Sequence, residues 1–158
     1  MQSKNYKEIL LCVLTKMFST DIINADYKGE QLQDGMSGVR LIEGMAETIN
    51  GEKLPYKLIL KIQQDRRPPF VPDSWDLWTT EYYIYQSDLY KAFDKQIPVR
   101  MLKCYHSEFS NSVYSLWLEY ADGLNDEALM LANLEYVAEQ FGRFQGSVYS
   151  RHEHVNLI

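Results

Sequence analysis

Tyr56-Lys57-Leu58-Ile59-Leu60-Lys61-Ile62-Gln63 places a cation inside an aliphatic run, and the reading of this stretch decides the rest. Side chains of a strand point alternately to its two faces, so Leu58, Leu60 and Ile62 share one face while Ile59 and Lys61 share the other. Two readings of Lys61 stand side by side. It lies on a solvent face with Lys57 and Gln63, or it contacts phosphate beside an apolar shelf for a flat heterocycle.

Working outward, residues 27–33 and 39–47 read as strands on either side of Asp34-Gly35-Met36-Ser37-Gly38, and Asn50-Gly51 signals a hairpin into 56–63. The prolines of loop 65–72 exclude regular structure, and Asp73 or Ser74 is a candidate N-cap. In the helix that follows, Trp78, Tyr82, Tyr85, Leu89 and Phe93 recur at three- and four-residue steps, burying one face with Glu81 at its margin. Residues 99–105 and 112–120 read as two more strands, joined by a polar connection at 107–111. Before the sheet, Ile9, Leu10, Val13, Leu14, Met17 and Phe18 mark a packing helix. After it, Leu134, Val137, Ala138, Phe141, Phe144 and Val148 mark another over 131–149. Residues 150–158 hold no pattern, and no repeat, low-complexity tract or linker interrupts the chain.

The expected fold is therefore α+β: a five-stranded antiparallel sheet with a helix packed across it, preceded by an N-terminal helix and followed by a C-terminal one. The chain is read as one domain, 1–158, with a helix in 1–20, the sheet and the Glu81 helix in 21–123, and a helical region in 124–158. With 158 residues, 46% of them hydrophobic, the chain can bury a core without a disulfide or metal staple, which excludes a disordered polymer. A net charge of −6 has the wrong sign for gripping nucleic acid. Cys12 and Cys104 fit neither CxxC nor zinc spacing and sit among apolar neighbours, so they read as reduced core thiols of a cytosolic protein. The apolar run 9–18 is too short to span a bilayer and lacks a cleavage site, so the chain is expected to be cytoplasmic, without a membrane partner.

Several constellations could carry chemistry. The glycines of Gly35-Met36-Ser37-Gly38 either form an ordinary turn or let backbone N–H groups line a phosphate cradle. Glu81 is either a solvated helix residue or the partner that Lys61 needs when drawn out of water. His152 and His154 lack the spacing and the third ligand of a metal site, and read as solvated tail residues. Asp122, Asp126 and Glu127 do not form a calcium loop and fit a loop and helix start instead. No serine or cysteine occupies a nucleophile elbow.

The order of these features resembles the N-terminal lobe of the protein-kinase-like fold, and more closely the aminoglycoside phosphotransferase and choline kinase family of small-molecule kinases. Three stretches carry it: Gly35-Met36-Ser37-Gly38-Val39-Arg40-Leu41, Leu58-Ile59-Leu60-Lys61-Ile62, and Glu81-Tyr82-Tyr83-Ile84-Tyr85-Gln86-Ser87-Asp88-Leu89. The hinge-like Trp117-Leu118-Glu119-Tyr120-Ala121-Asp122-Gly123 and the helix around Phe141 extend it over nearly the whole chain.

The resemblance implies that Gly35, Met36, Ser37 and Gly38 cover the phosphates of ATP, that Lys61 contacts them and that Glu81 holds Lys61. Ile59 then forms part of the adenine pocket. The backbone of Glu119, Tyr120 and Ala121 meets the adenine edge, and Leu118 and Tyr120 line the entrance. It further implies ATP and magnesium as cofactors, and a small-molecule hydroxyl acceptor in a longer form. The glycine loop is sparse for a kinase, and Gln145 stands where many members carry histidine. The His-X-Asp catalytic loop and the metal-binding aspartate of the C-terminal lobe are missing, since no His-X-Asp occurs anywhere. The chain stops about where that lobe would begin, as a truncated form or a product lacking the second half would. It is expected to bind nucleotide weakly, if at all, and not to turn over. The rival expectation is a non-catalytic interaction module that self-associates through the helix at 131–149 or binds another protein; its twenty-one aromatic residues would leave some exposed in half a fold.

Overall fold

A computed structural model describes residues 3–33, 37–65, 78–87, 101–122 and 131–151. The chain divides into two compact units, 1–86 with 102–120, and 87–101 with 121–158.

The first unit opens with α1 (Ser3–Phe18). Leu10, Val13 and Leu14 are wholly buried, and Ile9 nearly so, as their three- and four-residue spacing requires. Cys12 falls on the opposite side of the helix and is exposed, and Cys104 is half-buried beside the second core. The exposure of Cys12 corrects the expectation of a core thiol drawn from its apolar neighbours: on a helix, adjacent residues point in different directions.

Six antiparallel strands follow: β1 (Ile22–Ala25), β2 (Lys28–Gln33), β3 (Ser37–Thr48), β4 (Lys53–Gln64), β5 (Cys104–Ser110) and β6 (Val113–Glu119). They run in the order β1-β3-β4-β6-β5, with β2 also paired to β3. The long β3 thus carries two short partners along one side, β2 on its first part and β1 on its last. The corner between them is Asp26, whose N–H donates to Met45 O (3.1 Å) and whose Oδ1 accepts from Met45 N–H (2.6 Å). Gly44 makes this approach feasible, since a Cβ there would overlap the Asp26 carbonyl.

β1 is the strand the sequence pattern did not reveal. Only Ile22 and Ala25 of its four residues are buried, and its register slips between Ile22 and Asn24, so no alternation marks it. The fifth strand is displaced from 99–105 to Cys104–Ser110, and the supposed connection at 107–111 is largely strand. Asn111 and Ser112 both have positive φ (52° and 56°), giving a two-residue turn whose twist suits the strands; Asn tolerates that conformation. The other hairpin is as expected: Gly51 takes φ 79°, and Thr48 closes the turn by accepting from Gly51 N–H and exchanging bonds with Glu52.

β6 is covered on both faces and its buried run is continuous, whereas the buried residues of β4, Tyr56, Leu58 and Leu60, fall at every second position. On one side, α1 packs with Ile42, Ala46, Tyr56, Leu58, Leu60 and Trp117. On the other, Tyr114, Leu116 and Leu118 pack with Ile59, Trp78, Tyr82 and Tyr85, the last two on α2 (Thr80–Gln86). Of the stripe expected on that helix, Leu89 and Phe93 lie outside the described residues, as do residues 66–77.

In the second unit, α3 (Leu131–Arg151) presents Leu134, Val137 and Phe141, each about half exposed. No helix among the described residues is long and apolar enough to cross a membrane.

Candidate functional site

The site grows from the pleat of β4. Its register is set by the Asn50-Gly51 hairpin, from Glu47 opposite Lys53 back to Ser37 opposite Gln63. Leu41 therefore faces Ile59, and Val39 faces Lys61. On the other side of β4, β6 brings Leu118 opposite Ile59, Leu116 opposite Lys61 and Tyr114 opposite Gln63. Three strands together put Lys61 in an aliphatic row, with Val39 and Leu116 flanking it, on the face that α2 covers.

Lys61 Nζ forms an ion pair with Glu81 Oε2 from the first turn of α2. The two side chains keep 26% and 32% of their exposure, so the pair sits at a cleft margin rather than in the core. The helix bearing Glu81 is only seven residues long and has no fully buried residue. What holds it is aromatic packing: Trp78 stacks on Tyr114 (5.7 Å between centroids, 14° between planes), and Tyr82 lies 5.8 Å from Tyr114 and 5.5 Å from Phe109. At its other end, Gln86 Nε2 donates to Ser107 Oγ on β5.

The Tyr114 hydroxyl lies 2.5 Å from Gln63 Oε1 and 3.3 Å from Glu81 Oε2. Burial, reinforced by the Glu81 charge, pushes this phenol well above its ordinary range, so it stays protonated and remains a donor.

The remaining expected residues are not all brought together. Gly35 and Met36 lie outside the described residues. Ser37 and Gly38 belong to β3, paired with Gln63 and Ile62, rather than to the turn itself. Leu118 is 4% exposed and lies beside Ile59 in the second core. Glu119 N–H donates to Lys103 O (2.8 Å), so it is not offered to a ligand; the Glu119 carboxylate accepts from Lys103 N–H as well (3.2 Å). Ala121 falls in the second unit. The Tyr120 ring carries the Lys57 ammonium at 5.2 Å and reaches a groove of about 800 Å³ shared with Met17, Tyr27, Glu43 and Tyr56. That groove is lined by neither Lys61 nor Glu81.

Val39, Leu41, Gln63 and Tyr114 are the neighbours that the sequence did not single out. Val39 and Leu41 could have been found by counting back from the Asn50-Gly51 hairpin, because one turn fixes the whole β3–β4 register. Among the described residues, no three His, Cys, Asp or Glu side chains gather to hold a metal ion. Asp126, Glu127, His152 and His154 lie outside them.

No protein-family profile, curated protein or solved structure matches this chain.

Proposed function

We propose that this chain is the nucleotide-binding lobe of a phosphotransferase acting on a small-molecule hydroxyl, with the kinase-like arrangement that the sequence resembles. The observation that supports it is the Lys61–Glu81 ion pair at the end of an aliphatic shelf. Counted from β2, the lysine stands on the third strand, the glutamate on the helix after it, and two more strands follow, the last beside the lysine strand. In this reading Glu81 holds the ammonium of Lys61 toward the phosphates of ATP, while Val39, Leu41 and Ile59 lie under the base. The backbone of Tyr120 meets the edge of the base. Positioning and charge compensation are most of what such a lobe contributes to phosphoryl transfer. Magnesium, when bound with ATP, would shield the phosphate charge, and no described residue is assigned as its ligand. Without a His-X-Asp, the chain binds ATP and does not transfer its phosphate.

Isothermal titration with ATP and magnesium tests the reading. Weak binding that disappears in Lys61→Ala is the expected result, and absence of heat in the unaltered chain overturns it. The second reading, a self-associating interaction module, is favoured by Leu134, Val137 and Phe141, which form one exposed stripe on α3. No response to ATP together with tight self-association in sedimentation would select it.

A further inference from the structure

We propose that Tyr114 is a positioning residue: its hydroxyl fixes the Glu81 carboxylate at the place where Lys61 meets it. Its bearing on nucleotide rests on the reading above, whereas the geometry does not.

Tyr114 is planted on β6 directly opposite Gln63, two residues along β4 from Lys61, so ring and ammonium rise from the same face of the sheet. The ring is 1% exposed and is clamped by Trp78, three residues before Glu81, and by Tyr82, immediately after it. Four aromatic rings therefore register the segment carrying Glu81 against the strand carrying Tyr114, with Phe109 completing the group.

The hydroxyl has one proton and two neighbours. Gln63 offers its amide oxygen at 2.5 Å, a separation that suits O–H···O and is too short for an N–H donor. Glu81, ionised beside Lys61, offers only acceptors, and its charge strengthens a hydrogen bond made to it. The hydroxyl donates closely to Gln63 Oε1 and, as a longer second branch at 3.3 Å, to the charged Glu81 Oε2. Burial keeps the phenol protonated, so the donor persists across the neutral range.

The need for such an anchor follows from the two partners. A lysine on a flexible four-carbon stem does not fix a carboxylate, and a seven-residue helix without a fully buried residue is a weak platform for one. A tyrosine locked in the sheet is rigid. It thus supplies the fixed point that the Lys61–Glu81 pair lacks.

Tyr114→Phe keeps the ring and removes the hydroxyl. By NMR on the nucleotide-free chain, the Lys61 ammonium should show contacts to the Glu81 γ-methylene in the unaltered protein and lose them in the variant, with the thermal midpoint little changed. A variant that loses stability while those contacts persist means a merely structural role and overturns the proposal. Should the variant not fold, tyrosine-labelled unaltered protein decides: a slowly exchanging Tyr114 hydroxyl proton in contact with the Glu81 methylene is expected, and its absence overturns the proposal. ATP affinity is the separate arm, expected to fall about tenfold in Tyr114→Phe. Lack of ATP binding in the unaltered chain counts against the nucleotide reading only, since the NMR contacts are read without ATP.

Discussion

Lys61 on β4 and Glu81 on α2 form an ion pair across the junction of sheet and helix, although twenty residues separate them in sequence. Because the pair is partly solvated, it contributes to placement more than to stability. A double-mutant cycle with Lys61→Met and Glu81→Gln, followed by urea denaturation, should give a coupling of about 1 kcal/mol or less. In a longer form that transfers phosphate, Lys61→Ala should lower activity by orders of magnitude while the fold survives. Full activity in that variant would make Lys61 an ordinary surface residue.

Gly44 presses against the Asp26 carbonyl at the corner between β1 and β2. Gly44→Ala forces that backbone contact apart and is expected to cost roughly 1–3 kcal/mol, the range for overpacking a tight site. Gly142→Ala, with nothing near a new Cβ, should not destabilise α3. Chemical denaturation of the two variants provides the comparison.

Leu60 is 2% exposed and packs on the α1 side of β4, beneath Trp117. Leu60→Ala should destabilise by about 2–5 kcal/mol. A loss below 1 kcal/mol would mean that the core under α1 is not close-packed.

His106 faces α1 from β5, and burial, aided by Lys16, lowers its pKa while Glu108 opposes the shift. The unfolded chain therefore binds a proton more readily than the folded one. Stability contributed by neutral His106 is complete above the ordinary histidine range and declines as pH falls through about 6.5 toward the lower folded value. Thermal midpoints between pH 7.5 and about 5.5 should show that decline in the unaltered protein and less of it in His106→Gln; identical slopes would remove His106 as its source.

The stripe Leu134, Val137 and Phe141 on α3 predicts concentration-dependent self-association. Val137→Glu with Phe141→Glu should abolish it in sedimentation. A clean monomer at high concentration before any substitution would refute the expectation.

What local pattern encodes was readable in the chain itself: α1 from its three- and four-residue spacing, the β3–β4 hairpin from Asn50-Gly51, and the shared face of Ile59 and Lys61 from strand alternation. Each depends on residues close in sequence, where the helical or pleated repeat dictates direction. β1 escaped because a four-residue strand with two buried positions and a slipped register carries no repeat, and β5 was displaced because its polar residues disguised a strand running to a two-residue turn. Tertiary structure alone set Tyr114 beside Gln63 and Glu81. The pairing of β4 with β6 closes a long loop, and no turn between them transmits a register. That register comes instead from the packing of Leu116, Leu118 and Tyr114 against Trp78, Tyr82 and Tyr85, a match of side-chain shapes between distant segments that periodicity does not record.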